Sequence, residues 1–494
     1  MGSLNGRSAI VVGGGVGGLA AACYMARAGA RVRVLEKNEQ WGGRACRLVE
    51  DGFSFDMGPS WYLMPDVFER FFGHFNRHPD DLLTLHRLDP HYRIFWKDGT
   101  RYDIPPQPDA AAEVFESIEP GAKQSFLDYL ARSKVNYEIA MREFVYHDRP
   151  TLRDYLSPGL ARHARALTLF GSMERHVGRY FDNPKLQQIL QYTLVFLGGS
   201  PKNTPALYNL MTHVDFNLGV YYPEGGVGAV VDAIVGLATE LGVALETHTE
   251  VTGIDGVTDG LVVTANGADH RADIVVSNAD YGHTEMDLLS AEHRRFGRRY
   301  WASRTYAPSA FVLYLGVRGE LDNLAHHTLV LPTDWDPHFD AIFDHPSWPD
   351  DPAYYICVPS QTDPKVAPAG HSNLFVLVPI AAGLEDGPAQ RSAYRERILS
   401  DLADHTDTDL AGRIVYERLF TVSDYQARYH STKGTALGLA HTVRQTSLLR
   451  PPHRAKKLKG LYYSGAYTTP GIGVPMSLIS GDITAQCVAE DFGS

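Results

Sequence analysis

Apolar and polar positions along the 494-residue chain change period several times, and each change marks an element. Ala9 to Val12 is a short apolar run that predicts a buried parallel strand. An alanine-rich stretch after Gly18 predicts a helix to about Ala28, closed by Gly29 just past its end. Arg31 to Leu35 alternates and predicts a second strand ending on Glu36. Val243 to Ile254, Leu261 to Thr264 and Asp273 to Ala279 read as further strands, as does Leu461 to Ser464. Pro475 then opens a helix to about Ala489, proline being well suited to a first helical turn.

Two long stretches between these have a different character. His91 to Ile104 alternates on either side of Asp98-Gly99, a hairpin signal. Ala110 to Leu218 is mostly helical in pattern, with Pro150, Pro158, Pro184 and Pro205 as breaks. Ala310 to Val317, Tyr354 to Val358, Leu374 to Ile380 and Ile414 to Phe420 predict strands of one sheet. Their apolar residues occupy both parities, as in Leu374-Phe375-Val376-Leu377-Val378, which fits burial on both faces and is compatible with the wall of an apolar tunnel. The expected organisation is α/β. A discontinuous dinucleotide-binding unit comprises 1–90, 219–299 and 446–494, and an α+β substrate unit is inserted as 91–218 and 300–445. The helical part of the insert is expected to offer a surface for membrane contact.

Composition narrows the partners. Hydrophobic residues at 44% and charged residues at 21% are ordinary for a globular chain. Lys plus Arg at 46 against Asp plus Glu at 58 leaves −12, which argues against a nucleic-acid partner. The small basic cluster Arg454, Lys456, Lys457 and Lys459 reads as a solvated loop. Cys23, Cys46, Cys357 and Cys487 form no C-x-x-C pair, which fits a reducing, cytoplasmic setting. The N-terminus lacks the basic-then-apolar pattern of a secretory signal, and no apolar run reaches the ~18 residues of a spanning helix. Membrane association is therefore expected to be peripheral.

Gly13, Gly15 and Gly18 have G-x-G-x-x-G spacing, with the first strand before them and the helix after. The first glycine permits a tight turn, the second lets the backbone approach a pyrophosphate, and the third allows close helix–strand packing. The helix N-terminus offers unpaired N–H groups to the phosphates. Glu36, at the end of the second strand, suits a ribose diol, and an acid there favours NAD or FAD over NADP. Trp41-Gly42-Gly43-Arg44-Ala45 follows at once, and Phe55-Asp56-Met57-Gly58-Pro59 comes soon after. A second glycine pair with a cation supplies more contact to the same pyrophosphate, which an NAD site does not need.

This extension resembles the signature of glutathione-reductase-type flavoproteins, particularly the amine oxidase and carotenoid desaturase branch. The resemblance implies a Rossmann FAD-binding domain with an inserted α+β substrate domain. It also implies cofactor contacts at Gly58, Pro59, Val251, Gly465, Gly473, Pro475 and Met476, with Val251 at the adenine. The helix opening at Pro475 would aim its positive end at the flavin, favouring the reduced ring. Trp61 and Tyr62, directly after Gly58-Pro59-Ser60, are the candidate substrate contacts. Tyr463-Ser464-Gly465-Ala466 lacks the cysteine with which some amine oxidases tether FAD, so the cofactor is expected to be non-covalent. No second dinucleotide fingerprint is present to serve NAD(P)H.

Taken from Ile10 to Cys487, the chain resembles bacterial-type phytoene desaturases. The match includes Leu197-Gly198-Gly199-Ser200-Pro201, Tyr222-Pro223-Glu224-Gly225-Gly226, Leu324-Ala325-His326-His327-Thr328 and Tyr467-Thr468-Thr469-Pro470-Gly471-Ile472-Gly473-Val474-Pro475. The resemblance implies introduction of double bonds into a long acyclic isoprenoid, phytoene towards neurosporene or lycopene, with oxygen or a quinone as electron acceptor. Hydride loss beside a polyene gives a delocalised cation that acidifies the neighbouring proton, so no strong base is required and none is named. Sister readings are a 3,4-desaturase of hydroxylated carotenoids, a diapophytoene desaturase or a carotene isomerase. A non-enzymatic prenyl-binding protein is the reading from another class. No metal is expected: His326 and His327 would point to opposite faces of a strand, and no H-E-x-x-H, G-x-S-x-G or EF-hand pattern occurs.

Overall fold

Ser8–Val12 is the middle strand of a five-stranded parallel sheet. Across the sheet the order is Leu461–Tyr463, Ile274–Ser277, Ser8–Val12, Arg31–Leu35 and Ala244–Glu246. The computed structural model describes residues 2–149, 151, 154, 171–442 and 444–493. Alternate side chains of the middle strand serve two layers, as the pleat requires. Ala9 and Val11 pack with the helices, whereas Ile10 and Val12 pack with Val251, Ile254, Leu261 and Val263 of a three-stranded antiparallel sheet.

On the helical side, Val16–Arg27 is clasped between the helices Val227–Glu240 and Val474–Phe492. The stretch expected as Val243 to Ile254 divides at His248, whose φ of 53° turns the chain out of the parallel sheet before Val251–Val257 begins the second one.

The inserted segments build a seven-stranded sheet, ordered Ile414–Phe420, Ser309–Arg318, His371–Ile380, Tyr354–Cys357, His327–Leu331, Tyr92–Trp96 and Arg101–Ile104. The Asp98-Gly99 hairpin thus joins the sheet of the second insertion, through a parallel pairing of Tyr92–Trp96 with His327–Leu331. Phe311, Leu313, Ile356, Val376 and Val378 face the helix Pro388–Thr406 and pack on its Tyr394, Ile398 and Leu402. Ala310, Val312, Leu329, Leu331 and Tyr355 occupy the other face, directed to the interior of the molecule. Burial on two sides explains the apolar residues on both parities.

The helices Pro108–Ile118, Ala122–Ala140 and Pro184–Gln191 match the helical pattern of the first insertion. Pro184 starts the last of these, and Pro205 precedes a short turn at Ala206–Asn209. The breaks expected at Pro150 and Pro158 lie outside the described residues. Among the described residues, no helix is long and apolar enough to cross a membrane.

Candidate functional site

The tips of the parallel strands form the floor of the site. Gly13 has φ 93°, and a Cβ on Gly15 would stand 2.5 Å from Oδ1 of Asn278. Gly42, with φ 99°, bridges to Gly15 and donates its N–H to the Gly14 carbonyl at 2.8 Å. A Cβ on Gly43 would lie 3.3 Å from the Gly15 Cα. Two glycine segments therefore lie backbone to backbone and present a surface without side chains. Gly18 serves the packing instead. A Cβ there would be 2.5 Å from the Gly13 carbonyl, so its absence lets the helix close on the loop, and Gly18 does not itself line the cavity.

Glu36 is buried at the end of its strand. One carboxylate oxygen accepts the Gly14 N–H at 2.8 Å and the other accepts the Asn38 N–H at 2.8 Å. Each oxygen retains a lone pair for a diol. Val251 lines the same region, two residues beyond Thr249, whose N–H bonds the Glu36 carbonyl at 2.8 Å. Arg44 donates from Nη2 to Ser431 Oγ at 3.0 Å and stands 3.9 Å from the Asp280 carboxylate. Its Nε is buried without a partner, a donor left for an anion. Asp280 is held by the hydroxyls of Tyr467 and Thr432, each at 2.5 Å.

Gly465 has φ 113°, and its Cβ would stand 2.7 Å from Asn278 Nδ2. Gly473, with φ 122°, precedes the 19-residue helix Val474–Phe492, which has Pro475 in its first turn. Gly473, Pro475 and Met476 line the cavity, so the unpaired N–H groups of that helix start face it. This set of groups fits FAD: an accepting carboxylate for the ribose, a glycine floor and arginine for the pyrophosphate, and a helix N-terminus for the ring.

From this cradle one cavity of about 1060 Å³ continues past Gly58, Pro59 and Trp61 to Ala310, Leu329, Leu331, Leu377 and Pro379 of the seven-stranded sheet, and on to Trp335, His338 and Phe339. Trp61 lies flat on His327, with ring centres 4.0 Å apart and planes at 9°, near Tyr92, Tyr192 and Tyr355. Tyr62 corrects the expectation. It stacks on Phe68 at 4.3 Å within the core and does not reach the cavity. Its backbone pairs in extended form with Tyr221, so neighbouring side chains point to opposite sides.

Other contributors carried little signal in the chain. Asn278 and Asp280 follow the strand Ile274–Ser277 as small polar residues, the only hint of their place. Arg450, buried, donates to the carbonyls of Leu439, Gln445, Ala466 and Thr468 and ties these loops together; burial pulls its pKa down to about 10. Asp215 accepts from the hydroxyls of Tyr92 and Tyr192 at 2.9 and 3.1 Å, and burial pushes its pKa up to about 7. His338 accepts the Ala353 N–H at Nδ1, 3.3 Å away, and burial pushes its pKa down to about 3. It stays neutral, with an Nε2 that has no protein partner.

The histidine pair also departs from expectation. His326 lies in a bend and the strand begins only at His327, so the alternation of a strand does not separate them. Their ring centres are 4.6 Å apart.

Comparison with known proteins places these features. Residues 16–489 match the family of flavin containing amine oxidoreductases. The chain is 61% identical over 493 residues to a carotenoid 3,4-desaturase of Haloarcula japonica, covering 99% of this chain and 100% of that protein. It is 33% identical over 492 residues to a zeta-carotene-forming phytoene desaturase of Myxococcus xanthus, covering 98% and 94%. In fold it is similar to an oxidoreductase from Methanosarcina mazei, with a TM-score of 0.63 at 17% identity, over 98% of this chain and 100% of that one.

Proposed function

Since the chain belongs to the flavin-containing amine oxidoreductase family, within its carotenoid desaturases, we propose that this FAD-dependent oxidoreductase is a carotenoid 3,4-desaturase. The observation that carries the reading is the 61% identity over 493 residues. A phytoene desaturase among the relatives is only 33% identical, against 61% for the carotenoid 3,4-desaturase, so the 3,4-desaturase reading is favoured over phytoene desaturation. The continuity of the cradle with an apolar sheet wall supports a long isoprenoid substrate.

FAD, when bound, supplies the two-electron acceptor for the carbon–hydrogen bond. The chain's own residues do the rest. Glu36, the glycine floor and Arg44 anchor the cofactor's adenylate and pyrophosphate. Leu329, Leu331 and Leu377 exclude water and align the polyene. The aromatic side chains of Trp61, Tyr192 and Tyr355 border the path, and an aromatic face turned to it favours a developing positive charge. His338 is neutral at working pH, and the acidity of a proton beside such a charge makes a strong base unnecessary. The substrate enters from a membrane surface, and oxygen or a quinone takes the electrons onward.

The test is to supply the flavin-loaded protein separately with phytoene and with an acyclic polyene still saturated at its 3,4 bond, and to chromatograph the products. A polyene lengthened by one conjugated double bond, with phytoene unchanged, is the expected result. Conversion of phytoene alone would reverse the assignment, and conversion of neither would end it.

A further inference from the structure

We propose that His326, His327 and Cys357 form a buried three-ligand site for a divalent cation of the zinc type, behind the aromatic wall of the cavity. The strand register makes the site. His327 lies directly opposite Cys357 in the antiparallel pair of His327–Leu331 with Tyr354–Cys357, so their side chains share one face at close range. The bend at His326 then brings the second imidazole alongside the first. One donor atom from each of the three residues lies within 4.8 Å of the others, the one such group among the described residues.

The imidazoles are held as metal ligands are held. His326 Nδ1 pairs with the Thr362 hydroxyl at 2.7 Å, and His327 Nδ1 pairs with the Tyr355 hydroxyl at 2.6 Å. Such bonds through one ring nitrogen orient the other for coordination. In both rings Nε2 is buried without a partner, in residues only 5% and 0% exposed. Two orphaned nitrogens on neighbouring buried rings are unfavourable unless something binds them. The ring planes are fixed as well: His327 by its stack on Trp61, His326 against Tyr222 at 4.7 Å. Two imidazoles on one tetrahedral ion place their ring centres about 5 Å apart, and the observed separation is 4.6 Å.

Two imidazoles and a thiolate form a soft set that selects zinc and its neighbours over magnesium or calcium. Binding displaces the Cys357 proton to solvent, and the ion takes the thiolate as its charged ligand. Because the donors are enclosed, the ion is acquired while the chain folds. It would pin two strands of the substrate sheet and, through His327, set the plane of Trp61.

Metal content of the full-length protein, purified without a metal-affinity step from zinc-supplemented cells and dialysed against a mild chelator, tests this. About one zinc per chain is expected, with X-ray absorption at the zinc edge showing one sulfur and two nitrogen ligands from the protein. Cells grown in cobalt instead should give protein with visible bands to the red of flavin absorption. Cys357→Ser should lose the metal while flavin absorbance reports that it folded. If that variant does not fold, the wild-type metal count and ligand shell decide. Wild-type protein with far less than one equivalent of either metal, or zinc without a sulfur ligand, would overturn the site.

Discussion

At Gly15 a methyl group would meet Oδ1 of Asn278 at 2.5 Å, and Asn278 cannot yield because its Nδ2 is donated to the Ser464 carbonyl at 2.9 Å. The substitution Gly15→Ala should therefore displace a polar side chain at the point where two strand tips meet. Bound flavin should fall at least tenfold, about 1.4 kcal/mol of binding, with the far-ultraviolet spectrum unchanged. Undiminished flavin absorbance in the purified variant would show that the floor is more compliant than its geometry implies. The same scale separates Trp61 from Tyr62. Adjacent in the chain and equally aromatic, they part because the backbone is extended there, one ring towards the cavity and one into the core.

The elements position the floor by close approach. Where Val474–Phe492 crosses Val16–Arg27, a Cβ on Gly481 would lie 2.6 Å from the Ala20 Cβ and 2.8 Å from both the Ala21 nitrogen and the Gly17 carbonyl. Two of those three atoms are backbone, so the helices would have to separate. In Gly481→Val the gain in helix propensity is about 0.4 kcal/mol, whereas overpacking costs about 1–3 kcal/mol, and overpacking wins. We expect a lower melting temperature together with earlier flavin release, because the first turn of the same helix brings Pro475 and Met476 to the cavity. Thermal unfolding followed by flavin fluorescence measures both, and an unshifted transition would exclude tight helix contact.

The molecule as a whole holds several titratable groups out of water, and burial shifts its imidazoles and carboxyls in opposite directions. Burial pushes His91 and His338 from their ordinary 6.5 down to about 3, and His176 and His213 down to about 4. Their neutral state contributes stability that is present above pH 6.5 and is lost as pH falls towards those values. Burial raises Asp56 from 3.8 to about 6 and Asp215 to about 7, which acts in the opposite sense between 3.8 and those values. At pH 5 the four imidazoles outnumber the two carboxyls, so the unfolded chain binds more protons than the folded one. Stability should fall from pH 7 to pH 5 by about 1.4 kcal/mol per pH unit for each net proton. A urea midpoint that stays level or rises over that interval would contradict the balance.

Local pattern alone determined the α/β class, the strand–glycine–helix–strand–acid order around Gly13 to Glu36, and four strands of the inserted sheet, though not His327–Leu331, because period and turn chemistry are properties of neighbouring residues. The cofactor type came from the resemblance of Gly42, Gly43 and Arg44, close behind Glu36, to a flavoprotein signature. Only the tertiary structure decided which distant residues complete the site: Asn278 beneath Gly15, Asp280 beside Arg44, and Cys357 opposite His327. Those pairs are set by strand order and register. Register arises from packing across the whole sheet, and no stretch of neighbouring residues carries it.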